Sequence, residues 1–451
     1  MEDRELLHVT ADHAADFLGS LDERHVAPRT SAEEMLERLG GPLPQAGADA
    51  GAVIASLVEA AAPGIVGIPS GRYFGFVMGG ALPAALAADW LTSTWDQNTC
   101  LYVMSPAAAI VEEVSRRWLA ELLGLPSHVS VAFTTGCQMA HVTALAAARQ
   151  AVLERAGWNV AEEGLSGSPR ITVVVGAKRH VTVDRALRLL GIGSASLVVV
   201  PADDQGRIRV DALPEIDGPT IVCGQAGEVN TGAFDDLDAI ADHVAGTDAW
   251  FHVDGAFGLW AAASPSLRHL VRGSARADSW ATDAHKWLNV PYDSGLAFCA
   301  HPDAHRAAMT AAASYLTPAD DRLERDAFDW TPESSRRARG FPIYAAIRQL
   351  GAEGIAAIVD GCCERAREME SLLEAGGATI LNDVVLNQVL VRFDEDVVAR
   401  VQQDGTCWLG GTQWDGGHAM RISVSNFRTT RDDIERSAAA ILAAARVQSR
   451  A

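Results

Sequence analysis

Between residues 129 and 300 the chain alternates short apolar runs, rich in β-branched residues, with longer amphipathic stretches, and few folds accept that pattern. VSVAFTT (129–135) leads into a helical stretch from about Met139. RITVVVG (170–176) precedes another over 183–190, and SLVVVP (196–201) and PTIVCGQAG (219–227) follow, with a helical stretch over 235–244. AWFHVDGAFG (249–258), ADSWATD (277–283) and SGLAFCA (294–300) complete the series. Near-continuous apolar strands are buried on both faces, and strands separated by helices build a largely parallel sheet. In such α/β sheets ligands gather at the carboxyl ends of strands, so chemistry is sought there.

Several polar residues stand at those ends. Asp254 follows AWFHV, His180 follows VVVGAKR, and DSWATDAHKWLNVPYDSG (278–295) carries Asp283, His285 and Lys286 straight out of an apolar run. Lysine is rarely fully buried. One pressed against Trp287 either runs its ammonium out to water or has its charged form disfavoured, which leaves a nucleophilic amine. The turn TTGCQ (134–138) opens a helix, whose free N–H groups and dipole make an anion seat. An amine, a carboxylate, a flat imidazole and a phosphate seat together describe a pyridoxal phosphate site. Singly, each has a plainer reading: a turn-capping aspartate, a structural histidine, a snorkelling lysine. Their joint order carries the weight.

The flanks are different in kind. Residues 1 to about 62 read as amphipathic helices broken by Gly40, Gly41, Pro42 and Pro44. SGRYFGFVMGGALP (70–83) reads as a wall, and SPAAAIVEEVSRRWLAELLGLP (105–126) as a helix opened by Ser105 and Pro106 and closed by Gly124 and Pro126. Residues 304–340 read as a long charged loop. A helix over 342–376, strand NQVLVRF (387–393), a Gly-rich turn, strand MRISVSN (420–426) and a closing helix form a smaller α+β unit. A net charge of −21 argues against nucleic acid or an anionic membrane as partner. No apolar run has spanning length, and MEDRELLHV lacks the basic start of a signal peptide. Seven scattered cysteines without a CxxC spacing point to no metal and to a reduced, cytoplasmic chain.

From about residue 70 to the end the sequence resembles the pyridoxal-phosphate-dependent group II amino-acid decarboxylases, the aromatic-amino-acid and glutamate decarboxylase group of fold type I. The strongest marks are HVDGAFG (252–258), ADSWATDAHKWLNVPYDSG (277–295), SPAAAIVEEVSRRWLAELLGLP and AGEVNTGAFDD (226–236). The resemblance implies an N-terminal helical segment (1–75) wrapping a partner subunit. It implies a large cofactor-binding α/β domain with a mostly parallel seven-stranded sheet (76–330), a small C-terminal α+β domain (331–451), and a homodimer with active sites at the subunit interface. It makes Lys286 the residue bonded to the cofactor aldehyde, Asp254 the partner of the pyridine nitrogen, Ala256 the small residue near the ring and His180 the stacking imidazole. Cys137 and Gln138 take the phosphate turn, His285 lies near the phosphate, and Arg421 holds the substrate carboxylate. Phe74, Phe76, Met78 and Trp95 resemble the apolar pocket wall of aromatic-specific members. The implied reaction, with Lys286, His180 and Asp254 as its catalytic residues, converts an aromatic or bulky apolar L-amino acid to its amine and carbon dioxide.

Two departures bear on this. TTGCQMA lacks the family's serine or threonine and glutamate, so backbone N–H groups supply more of the phosphate grip. The family also carries a loop tyrosine that returns a proton to the substrate. Anchoring on Trp330 and Arg336–Arg337 puts Ala327 or Phe328 there, and neither has a proton to give. Another donor then serves, His180 or a tyrosine such as Tyr315 or Tyr102 from a neighbouring subunit. Otherwise the product is an aldehyde and the chain an oxidative deaminase. A carbon–carbon lyase and a non-catalytic scaffold are the remaining alternatives.

Overall fold

The apolar runs become a seven-stranded sheet in the computed structural model, which describes residues 1–310 and 324–446. Its strands are β1 (Ser130–Thr134), β2 (Thr172–Gly176), β3 (Leu197–Val200), β4 (Thr220–Gln225), β5 (Trp250–Asp254), β6 (Ser279–Asp283) and β7 (Gly295–Cys299). Their spatial order is β1-β7-β6-β5-β4-β2-β3. Strands β2 to β6 pair in parallel, and β7 alone runs against its neighbours β6 and β1. Every residue of β1, β5, β6 and β7 is buried. That accounts for the missing polar face in the sequence pattern.

The helix Cys137–Arg155 starts two residues after β1 and packs across β5, β6 and β7. Ala144, Ala146, Ala147 and Ala148 are all buried in it, and such small side chains let a helix close tightly on a sheet. The antiparallel β7 is seated the same way. Gly295, its first residue, lies on Gly136, and a Cβ there would overlap the Gly136 backbone. This contact brings the start of the helix beside the segment that follows β6.

Strands β8 (Thr379–Ile380), β9 (Gln388–Arg392), β10 (Gly410–Trp414) and β11 (Gly417–Ser423) form an antiparallel sheet in the order β10-β11-β9-β8. The stretch expected to be only a Gly-rich turn holds a helix, Glu395–Asp404, and β10. β10 was illegible because GGTQW is half-exposed and begins with two glycines, which strands disfavour. The 36-residue helix Gly340–Ala375 is broken at Gly351, whose φ of 63° is open to glycine.

Among the described residues, the region expected to be a loop from 304 to 340 holds most of the helix Pro302–Met309 and the 3₁₀ turn Ala327–Trp330. Arg336 fixes it: its Nη2 donates to both Glu112 carboxylate oxygens at 2.6 Å, and its Nη1 to the Phe133 carbonyl at 3.2 Å. At the other end of the chain, the helices Asp3–Gly19, Ala32–Leu39 and Ala50–Ala61 bury none of their residues. Leu36 and Leu57 stay 72% and 52% exposed. Among the described residues no helix is long and apolar enough to cross a membrane.

Candidate active site

Two strand ends converge. Asp254 closes β5, Asp283 closes β6, and the chain runs three residues on to Lys286. The Lys286 Nζ lies 2.9 Å from Asp283 Oδ2. Asp283 Oδ1 accepts the Cys137 backbone N–H at 2.6 Å, so the first turn of the helix already faces an acid oxygen. His285 Nε2 lies 3.4 Å from the same oxygen, and its ring stands 4.3 Å from that of Tyr292. The Ser294 N–H donates to His285 Nδ1 at 3.1 Å. Asp254 Oδ1 accepts the Ala256 N–H at 3.2 Å. Gln138 reaches across to the Thr182 carbonyl at 3.2 Å, and His180 Nδ1 sits 2.8 Å from the Thr182 hydroxyl.

These groups open on one cavity of about 470 Å³, lined among others by Cys137, Gln138, His180, Asp254, Ala256, His285, Lys286 and Tyr292. Phe76, Val77 and Met78 form its apolar wall. Phe76 and Val77 have left-handed φ of 55° and 60°, which break the alternation of an extended chain. The wall is fastened to the lysine's own backbone. Gly79 donates to the His285 carbonyl at 3.3 Å, and a Cβ on Gly79 would overlap the Lys286 carbonyl oxygen. Buried Asn289 joins the same parts, its Oδ1 accepting from Gly80 at 2.6 Å and from Phe427 at 3.1 Å.

Two expected wall residues are elsewhere. Phe74 is fully buried in the main core, because the backbone reversal at 76–77 turns Phe76 and not Phe74 to the cavity. Trp95 ends the helix Pro83–Trp95, is 49% exposed and meets Phe341 edge-on at 5.1 Å. Arg421, on β11, is half-buried and does not line the cavity, though its charge is felt at His180. Among the described residues its guanidinium has no ion-pair or hydrogen-bond partner. Ala327 is buried and Phe328 donates to the Cys100 carbonyl at 3.0 Å, both away from the cavity. Tyr102 is also outside it, in the turn Tyr102–Met104, and Tyr315 lies outside the described residues.

The electrostatics correct one expectation. Burial disfavours the Lys286 ammonium, but Asp283 beside it, with Asp254 farther off, more than offsets this and raises its pKa. The lysine waits as a cation. Burial also works against the Asp254 carboxylate, yet His141, His180 and Lys286 hold its pKa well below the ordinary range. Burial lowers His180 and His285, and pushes the Cys137 thiol far up into an inert, protonated form. Sequence reading missed Tyr292, His141 and the ion-pairing role of Asp283. Tyr292 and Asp283 were visible within the 278–295 stretch, whereas His141 carried no local signal.

Residues 33–393 match the family model described as the pyridoxal-dependent decarboxylase conserved domain. The chain belongs to the pyridoxal-dependent decarboxylases. These are lyases that use pyridoxal phosphate, and pyridoxal phosphate is the cofactor of this one. The chain is 25% identical to aromatic-L-amino-acid decarboxylase of Bacillus atrophaeus, over 96% of this chain and 93% of that protein. It is 26% identical to 4-hydroxyphenylacetaldehyde synthase of Rhodiola rosea, over 77% of this chain and 72% of the other. Its fold matches the crystal structure of Oryza sativa TDC with PLP and tryptamine at a TM-score of 0.87, with 22% identity over 97% of this chain and 98% of that one. The residues lining the cavity suit the decarboxylase cofactor. They offer an amine, an ionised carboxylate and a helix N–H already turned to an acid oxygen. Gly136 leaves a gap that a Cβ would fill to within 3.3 Å of the His285 ring.

Proposed function

We propose that this decarboxylase acts on an L-amino acid with an aromatic or bulky apolar side chain and releases the amine and carbon dioxide. One observation carries the reading: Lys286 and Asp254 open on the same cavity, whose other wall is Phe76, Val77 and Met78. In this reading Lys286 bonds the cofactor aldehyde and Asp254 faces the ring nitrogen. His180 and Ala256 flank the ring, and the helix start at Cys137 and Gln138, with His285, takes the phosphate. Bound pyridoxal phosphate supplies an electron-withdrawing ring that accepts the pair from a breaking bond at the substrate α-carbon.

The chain's own residues choose that bond and manage the proton. Arg421 does not line the cavity, but its guanidinium, lowered in pKa by burial with Glu228 opposing, acts on His180 and in this reading pairs the substrate carboxylate. Clamping that carboxylate selects which α-bond is cleaved. The α-carbon then takes a proton. The Tyr292 phenol stands on the cavity wall, is protonated at neutral pH and in this reading serves as the donor.

Incubating the protein with a panel of amino acids, while measuring carbon dioxide, amine, ammonia, peroxide and aldehyde, tests this. Aromatic substrates are expected to yield carbon dioxide and an equal amount of amine, and Lys286→Ala to yield neither. Tyr292→Phe is expected to cut amine formation by about a hundredfold or more. Aldehyde with peroxide from the unaltered protein would overturn the amine reading in favour of an oxidative deaminase. Two observations favour that second reading: the likeness to an aldehyde synthase, and the lack of a transferable side-chain proton on Ala327 or Phe328.

The same reading makes the protein a homodimer, with the N-terminal helices laid on the other subunit. It is supported by three helices with no fully buried residue within their own chain. Seven free cysteines suit a reducing, cytoplasmic location.

A further inference from the structure

Behind Asp254 runs a file of buried polar groups that the proposed reaction does not use. His141 Nε2 stands 3.5 Å from Asp254 Oδ2 and 3.5 Å from the Cys137 sulfur. His141 Nδ1 is 3.0 Å from His252 Nε2, and His252 Nδ1 is 2.9 Å from Ser279 Oγ. The Trp250 indole N–H donates to that same hydroxyl oxygen at 2.8 Å. His141, His252, Ser279 and Trp250 are all fully buried. Their alignment follows from the fold. Trp250, His252 and Asp254 are alternate residues of β5 and share a face, Ser279 is the register partner of His252 on β6, and His141 lies one turn beyond Cys137.

With neutral imidazoles the two ends of the file fix the direction of every proton in it, and a doubly protonated His141 presents the same Nε2–H to Asp254. An indole only donates and an ionised carboxylate only accepts. In one arrangement Ser279 gives its proton to His252 Nδ1, His252 Nε2–H donates to His141 Nδ1, and His141 Nε2–H faces Asp254. In the reverse arrangement the Ser279 proton has no acceptor among the described residues, and a bare nitrogen lone pair of His141 faces a carboxylate. A buried unsatisfied hydroxyl and a lone-pair clash both disfavour it. We infer that His141 is a positioning residue for the cofactor ring nitrogen: the file from Trp250 through Ser279 and His252 fixes its Nε2–H toward Asp254 and keeps that carboxylate ionised and turned to the cavity. His252, pulled down to about 3 by burial, stays neutral and relays direction without adding charge. The same proton occupies the lone pair a cation would need. The Cys137 sulfur, the His141 nitrogen and the Asp254 oxygen therefore form a hydrogen-bonded cluster, although all lie within 4.8 Å of one another.

The inference rests on pyridoxal phosphate occupying the cavity and is independent of which amino acid reacts. Cofactor-free protein is titrated with pyridoxal phosphate and with its analogue in which carbon replaces the ring nitrogen. His141→Leu is expected to bind pyridoxal phosphate about tenfold more weakly, the loss of one hydrogen bond to a buried charge, and to bind the carbon analogue like the unaltered protein. His141→Gln, which returns an N–H, is expected to restore binding. Ser279→Ala, which frees the far end of the file, is expected to show the same selectivity at about threefold. Thermal unfolding of the cofactor-free variants checks that they fold, and His141→Met, which also lacks an N–H, replaces the leucine variant if that one does not. Equal weakening toward both cofactors, no weakening by His141→Leu, or unchanged binding in Ser279→Ala would overturn the inference. Failure of the unaltered protein to bind either cofactor would overturn the cofactor assignment instead, and the inference with it.

Discussion

Asp283 holds three groups at once: the Lys286 ammonium at 2.9 Å, the Cys137 N–H at 2.6 Å and the His285 ring at 3.4 Å. A buried carboxylate survives only with such company, and removing one partner of a buried pair leaves the other uncompensated. Asp283→Asn is expected to destabilise the cofactor-free protein by about 3 kcal/mol at neutral pH, measured by urea unfolding. The sign with pH follows from the raised lysine pKa. The pair's contribution is complete below the unfolded lysine value and is lost as pH rises through the folded one, so the two proteins converge at alkaline pH. At this scale legibility divided on distance along the chain. Lys286 and Asp254 were readable because each ends an apolar run. His141 was not, since its meaning depends on His252, 111 residues away on another element. Phe74 and Phe76 were read alike, and only the left-handed backbone at 76 and 77 separates core from cavity.

Among elements, the presence and burial of the central strands were legible because both faces are covered and the runs are apolar throughout, whereas their spatial order and the antiparallel β7 were not. The small sheet was only half legible, since β10 has neither the apolar alternation nor the β-branched residues that announce a strand. The segment ahead of the long helix looked like a loop because its anchors are contacts to distant residues, Arg337 on Asp89 and Arg339 on Asp293 among them. The most buried is Arg336 on Glu112, with side chains 1% and 4% exposed. Arg336→Met is expected to cost about 3–5 kcal/mol by leaving Glu112 charged and alone, whereas pairing it with Glu112→Leu is expected to recover most of the loss. Denaturant midpoints of the single and double variants check this.

For the whole molecule, the N-terminal helices set the problem. Leu36, Leu39, Leu43 and Leu57, in or beside them, are each at least half exposed, an apolar surface left uncovered within the chain. If a second copy covers it, Leu36→Glu and Leu57→Glu together shift sedimentation from twice the chain mass toward the single chain. An unaltered protein that sediments as a single chain would refute the dimer.

The seam between Gly79 and the backbone of His285 and Lys286 has a consequence for how such a protein can change. Residues 76–78 wall the cavity, and the next residue rests directly on the peptide of the lysine proposed as nucleophile. In that role, remodelling the entrance for a larger or smaller guest tugs on the reactive nitrogen, and diet and speed are inherited as one trait.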